Sequence, residues 1–311
     1  MQPGRSCPLD YRYSPQVLAR TPDFHASTLY VIGGLYGNVP ALEAVCTLAA
    51  AEPAPVTLAF NGDFNWFNIG DTDFRAINTQ VLQHYALRGN VETEIANNDP
   101  SAGCGCGYPD EVSTEEVERS NAIILQLRDA ARRHADLRAR LSALPMHLVA
   151  DVGGLRVAIV HGDLESLAGW SLSAATLSRD NSKNIIKKQL VMSQCRLVAS
   201  SHTCLPVALA FDTEAGRCAI FNNGAAGMPN FRGTSFGLVT RIATTPSHAH
   251  PALYGAQIEG VFIDAIAVNY DKLRWHRDFL QAWPRGSSAY LSYHERITAG
   301  PAYGVAQAAR L

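Results

Sequence analysis

Three short apolar runs, each broken by glycine and a small polar residue, constrain this chain more than any other feature. The first, Thr28 to Ile32, is β-branched and apolar and stops at Gly33-Gly34; Gly37 allows a further sharp turn, Asn38 can cap, and Ala41 to Ala51 is a good helix former. The second, Val56 to Phe60, ends at Asn61-Gly62-Asp63, and Thr72 to Tyr85 then carries apolar residues at helical spacing. The third ends at Arg88-Gly89-Asn90. This βαβαβ order predicts buried strands joined by helical crossovers. In such sheets ligands bind beyond the strand ends. Something should therefore be bound near Gly34 and Tyr36, although neither is an obvious ligand.

Residues 93–113 interrupt the rhythm with Asn-Asn-Asp-Pro and then Gly103-Cys-Gly-Cys-Gly-Tyr-Pro109, which reads as an inserted loop. Ser113-Thr-Glu-Glu116 forms a capping box for a long helix to about Arg133, with a further helical segment to Leu144. His147 to Asp151 and Leu155 to Val160 flank Asp151-Val-Gly-Gly154 as a hairpin, whose second strand ends at His161-Gly162-Asp163. Leu164 to Met192 reads as mainly helical, and the strand Arg196 to Ser200 leads into Ser201-His202-Thr203-Cys204. A second hairpin over Pro206 to Phe211 and Arg217 to Phe221 ends at Asn222-Asn-Gly224. Two late strands, Phe236 to Ile242 and Val261 to Asn269, precede a helix over Asp271 to Trp283. No linker divides the chain, so residues 1–311 are expected to form one domain, with an irregular arm at 1–26 and a loosely ordered tail at 284–311.

Charge excludes some partners. With 26 Lys and Arg against 28 Asp and Glu and no basic run, neither nucleic acid nor an anionic membrane surface is indicated. No apolar stretch reaches the length of a membrane span and the N-terminus lacks a signal-peptide core, so a cytoplasmic location is expected. The 7 cysteines are odd in number and scattered, which argues for reduced thiols. Cys46, Cys195 and Cys218 lie in apolar surroundings as small hydrophobic filler. Cys104, Cys106 and Cys204 stand in more polar, glycine-rich or strand-end positions. The late strands and the tail offer an edge for self-association.

The polar residues that immediately follow separate strands are Asp63, Asn90, His161 and His202. Singly, each fits a turn, a helix cap or a satisfied polar group. Together, a carboxylate, an amide oxygen and two imidazoles suit a borderline divalent metal such as Mn, Fe or Zn. Their order and flanking residues resemble the calcineurin-like metallophosphoesterases over residues 28–230. The blocks that carry the likeness are Gly34-Leu-Tyr36-Gly37-Asn38, Gly62-Asp63, Arg88-Gly89-Asn90-Val91-Glu92, His161-Gly162 and Ser201-His202-Thr203-Cys204. The resemblance implies a four-layer α/β/β/α sandwich of two mixed sheets and two adjacent metals sharing Asp63. It also implies that one metal keeps Asp63, Asn90, His161 and His202. The other keeps only Asp63, because Gly34, Tyr36 and Cys204 stand where relatives place an Asp and two His; Val91 replaces a His that assists the leaving group. Arg88 matches an arginine that contacts phosphate in relatives.

Three readings follow. The first is a hydrolase of small phosphorylated substrates, phosphomonoesters or phosphodiesters, working with one metal per chain. The second is a rebuilt second site, with Tyr36, Cys204 and the flexible Cys104 and Cys106 holding a second metal for different chemistry. The third is a non-catalytic protein that keeps the fold to bind a phosphorylated ligand or a protein.

Overall fold

Alternation along the strands decides how the layers stack. In the computed structural model, which describes residues 2–179, 182–214 and 216–311, Leu29 and Val31 face one apolar layer while Tyr30 and Ile32 face another. The chain opens with 3-10 turns and a short strand, Phe24–Ala26 (β1). There follow Thr28–Ile32 (β2), Val39–Ala50 (α1), Thr57–Asn61 (β3), Asp71–Val81 (α2), Tyr85–Leu87 (β4) and Asn90–Ala96 (α3). Two helices, Thr114–Arg132 (α4) and Ala135–Ser142 (α5), lead to the hairpin His147–Val152 (β5) and Leu155–Val160 (β6). Ser182–Ser193 (α6) precedes Leu197–Ser200 (β7), Val207–Thr213 (β8) and Gly216–Asn222 (β9). The last third holds Gly237–Ala243 (β10), Ala252–Ile258 (β11), Val261–Val268 (β12), Lys272–Ala282 (α7), Ser288–Ala299 (α8), Val305–Ala308 (α9) and Ala309–Arg310 (β13).

The strands form two mixed sheets, ordered β1-β5-β6-β7-β9-β8-β13 and β11-β12-β10-β2-β3-β4. In the second, β2, β3 and β4 are parallel, as the βαβαβ pattern requires, and β10 pairs antiparallel to β2. In the first, β6, β7 and β9 are parallel. Leu29, Val31 and Ala59 of one sheet pack on Val157, Ile159, Leu197 and Ala199 of the other. The opposite face of the second sheet packs on helices through Tyr30, Ile32, Val45 and Phe74, and that of the first through Val160, Val198, Ile186 and Leu190. Helix, sheet, sheet, helix is the expected four-layer order.

Several boundaries differ from expectation. Residues 90–96 are the helix α3, so the inserted loop is shorter than 93–113. The segment Leu164 to Met192 is helical only in α6 and in a 3-10 turn at Thr176–Ser178, with residues 180 and 181 outside the described part. Asp163 explains the rest: its carboxylate accepts from the backbone of Glu165, Ser166 and Ser171, winding the chain into turns that a helix cannot share. The arm ends in β1, which pairs in parallel with β5. The tail is ordered, with α8 and with β13 paired to β8. No helix among the described residues is long and apolar enough to cross a membrane.

Candidate metal centre

Every residue singled out at a strand end lies at the same edge of the sandwich. β3 delivers Asp63, β4 delivers Asn90, β6 delivers His161 and β7 delivers His202, so the second sheet supplies two of these side chains and the first sheet the other two. Close approach requires glycine here. Gly62 has φ +92°, and a Cβ on it would stand 2.6 Å from both the Gly89 nitrogen and the His161 Nδ1.

The four side chains converge on one point. His161 Nε2 stands 3.0 Å from His202 Nδ1, 3.1 Å from Asn90 Oδ1 and 3.3 Å from Asp63 Oδ2. Ligand atoms of Asp63, His161 and His202 all lie within 4.8 Å of one another, and all three residues are buried. The far side of each ring fixes its tautomer. His161 Nδ1 is 2.9 Å from the Asn61 carbonyl and His202 Nε2 is 2.9 Å from the Cys106 carbonyl, so each N–H is donated away from the centre. Two imidazole lone pairs therefore face each other at 3.0 Å beside two oxygen acceptors. With both rings neutral, that donor set has no hydrogen to share and suits a cation.

Outer contacts hold the set in place. Asp63, itself at φ 53°, receives the Val91 N–H on Oδ1 at 3.1 Å, which turns Oδ2 to the centre. Asn90 donates through Nδ2 to the Cys104 carbonyl at 2.9 Å, which turns Oδ1 inward. Glu92 accepts from the backbone N–H groups of Asp63, Asn65 and Gly89, tying the ends of β3 and β4 together. Burial, and then the Asp63 charge, push its pKa up to about 7. Burial also drives His202 down, to about 3, with the charge of His161 adding to the effect. For His161 burial works downward too, but the Asp63 carboxylate outweighs it and raises the pKa. Sequence reasoning gave no role to Glu92, although it stands three residues after Gly89, the spacing of a reciprocal helix cap.

The other expected ligands are arranged differently. The Tyr36 hydroxyl and Cys204 thiol bond to each other at 2.9 Å, and both residues adopt positive φ, 55° and 61°. Burial raises both pKa values, so they stand as neutral phenol and thiol. A Cβ on Gly34 would come within 2.9 Å of two ring carbons and the hydroxyl oxygen of Tyr36. The ring thus fills the space that a side chain at position 34 would use. Cys104 and Cys106 are joined in a disulfide, against the expectation of reduced thiols, while Cys7, Cys46, Cys195, Cys204 and Cys218 are free. Pairing occupies both sulfurs, whereas the two backbone carbonyls orient Asn90 and His202. Arg88 does not line the site; its guanidinium donates to the Ser142 carbonyl at the end of α5.

A cavity of about 170 Å³ opens onto Asp63, Asn90 and His202. Its walls are aromatic, from Tyr36, Trp66, Tyr108, Trp170 and Tyr293, and its cationic side chain is Arg296 of α8. Trp170 is anchored through Nε1 to the same Cys106 carbonyl that holds His202.

No protein-family model and no curated protein sequence matches the chain significantly. Among solved structures, it is similar to a metallophosphoesterase from Sphaerobacter thermophilus, with 17% identity and a TM-score of 0.56 over 89% of this chain and 100% of that one. A hypothetical protein from Pyrococcus horikoshii OT3 gives 17% identity and a TM-score of 0.58 over 89% of this chain and 99% of that one. At such identity the likeness establishes the fold, which is metallophosphoesterase-like.

Proposed function

We propose that this chain, built on the metallophosphoesterase-like fold, is a metal-dependent phosphoric ester hydrolase that holds one divalent cation. The observation that carries the reading is the convergence of His161 Nε2 and His202 Nδ1, 3.0 Å apart, beside Asp63 Oδ2 and Asn90 Oδ1. Two nitrogens, a carboxylate and an amide oxygen fit Mn, Fe or Zn. When bound, such a cation supplies Lewis acidity toward a phosphoryl oxygen and acidifies a water.

The chain's own residues do the rest. Val91 N–H and the carbonyls of Asn61, Cys104 and Cys106 fix the ligand set before any substrate arrives. In the overall reaction a water oxygen forms a bond to phosphorus, the ester P–O bond breaks, and the departing oxygen takes up a proton. Val91 has no proton to give, and burial, chiefly, holds the Tyr108 phenol near a pKa of about 12. With no imidazole at position 91, esters whose leaving group departs without protonation, such as aryl phosphates, are expected to be the better substrates and alkyl esters slower.

One cation rather than two is supported by the Tyr36 and Cys204 contact, the missing side chain at Gly34 and the Cys104 to Cys106 disulfide. Elemental analysis of protein purified without added metal is expected to return about one metal per chain. Two would overturn the single-site reading and favour a rebuilt second site. His161→Ala and His202→Ala are each expected to abolish metal retention and aryl phosphatase activity. Full metal content in either variant would show that the cation sits elsewhere. Metal without hydrolysis of any aryl phosphoester would leave a binding protein.

A further inference from the structure

We propose that Arg296 holds the phosphoryl oxygens of the substrate, and that the substrate is a small phosphomonoester; this rests on the phosphoesterase reading above. Arg296 lines the cavity that also exposes Asp63, Asn90 and His202. Its Nη2 donates to the Cys204 carbonyl, but its Nε is buried without a hydrogen-bond partner, and among the described residues no ion pair neutralises it. The two fully buried arginines behave otherwise. Arg128 holds Glu94, and Arg241 holds Glu52 and Asp264. A guanidinium that lines an aromatic-walled cavity beside Asp63, Asn90 and His202, with no carboxylate paired to it among the described residues, is suited to receive an anion there.

The cavity also selects the anion. At about 170 Å³, with Trp66, Tyr108, Trp170 and Tyr293 around it, it offers an aromatic-walled seat for one organic group on phosphorus. A monoester keeps three non-bridging oxygens, enough for the Asp63 side of the site and for the N–H fork of Arg296. A water oxygen joins phosphorus, the ester bond breaks, and the leaving oxygen takes a proton. Arg296 neither gives nor takes one; it holds the oxygens on which charge is redistributed.

The test compares wild type, Arg296→Gln and Arg296→Lys, each purified with its metal. Three quantities are read: metal content, affinity for inorganic phosphate by calorimetry, and kcat/KM on p-nitrophenyl phosphate and bis-p-nitrophenyl phosphate. Arg296→Gln is expected to keep its metal, lose about tenfold or more in phosphate affinity and lose about 100-fold in monoester kcat/KM. Arg296→Lys should fall between, since it keeps the charge and loses the fork. A further variant, Arg296→Ala, is expected to regain part of its monoester activity when guanidinium is added. Unchanged phosphate affinity in Arg296→Gln, or a wild type that prefers the diester, overturns the proposal while leaving the metal site standing. Should Arg296→Gln fail to fold by thermal scan, wild-type phosphate affinity in Arg296→Lys overturns it equally. A wild type that carries no metal and cleaves neither ester overturns the phosphoesterase reading, and this proposal with it.

Discussion

At the scale of single residues, the most informative feature is the exchange between positions 34 and 36. Tyr36 adopts φ 55°, an unusual backbone for an aromatic residue, and its ring lies against the bare Cα of Gly34. Its hydroxyl then meets the Cys204 thiol. Gly34, with φ +63°, should not tolerate a side chain: Gly34→Ala is expected to cost about 2–4 kcal/mol in urea unfolding, from backbone strain plus overlap with the ring. Removing the ring should relieve the overlap. In a double-mutant cycle, Gly34→Ala and Tyr36→Ala are therefore expected to be less damaging together than separately, with a coupling of about 1–3 kcal/mol. Strict additivity would show that the ring does not need the space at 34. This pairing explains what could and could not be read from the sequence at the site. The convergence of Asp63, Asn90, His161 and His202 was legible because each stands within three residues of a strand end, and strand ends converge. Glu92 and Arg296 were not: the first acts through backbone N–H groups, and the second arrives from a helix more than ninety residues beyond the nearest ligand.

At the scale of elements, periodicity identified the buried strands and missed the short helix α3 and the more exposed elements. β11 is an exposed edge strand carrying Gly255, so it lacks a clean apolar alternation, and α8 buries little beyond Ala289 and Ile297. The fully buried strand β10 was plain in outline, but its charge was not explained. Arg241 lies there between Tyr30 of β2 and Asp264 of β12, and its guanidinium forks onto Glu52 just beyond α1, at 2.6 and 3.1 Å. Burial works to raise the Glu52 pKa, yet the bonds from Arg241 and from the Tyr30 hydroxyl outweigh it and hold the carboxyl below its usual value. A depressed carboxylate contributes stability that is complete above the unfolded-state pKa of 4.5 and is lost as pH falls through the folded-state value. Glu52→Gln is thus expected to be about 3 kcal/mol less stable than wild type near neutral pH, with the gap narrowing below pH 4.5. A constant gap across that window would deny the linkage. The loop carrying Cys104 and Cys106 invites a second experiment at this scale. Because its carbonyls orient Asn90 and His202, replacing both cysteines with serine is expected to weaken metal retention about 10- to 100-fold without removing a ligand. Unchanged affinity would mean the loop keeps its course without the disulfide.

At the scale of the whole molecule, the four converging side chains stand where a shared cation would clasp the two layers together. Asp63 and Asn90 follow strands of one sheet, and His161 and His202 follow strands of the other. The sheets already share an apolar layer of interdigitated strand residues. A cation held by all four side chains adds a second tie at the edge of that layer, and unfolding either sheet would destroy the metal site. Metal binding should therefore stabilise both sheets together. At free metal 100 times the dissociation constant, the stabilisation is about 2.7 kcal/mol. Spread over the unfolding entropy of 311 residues, that corresponds to a rise of about 4 °C in the thermal midpoint. Calorimetry with Mn or Zn, and again after chelation, is expected to show a single transition moving by about that amount. In His161→Ala the transition should not move when metal is added. Two transitions, only one of them metal-sensitive, would mean that the sheets unfold independently and that the four side chains do not bind one ion in common.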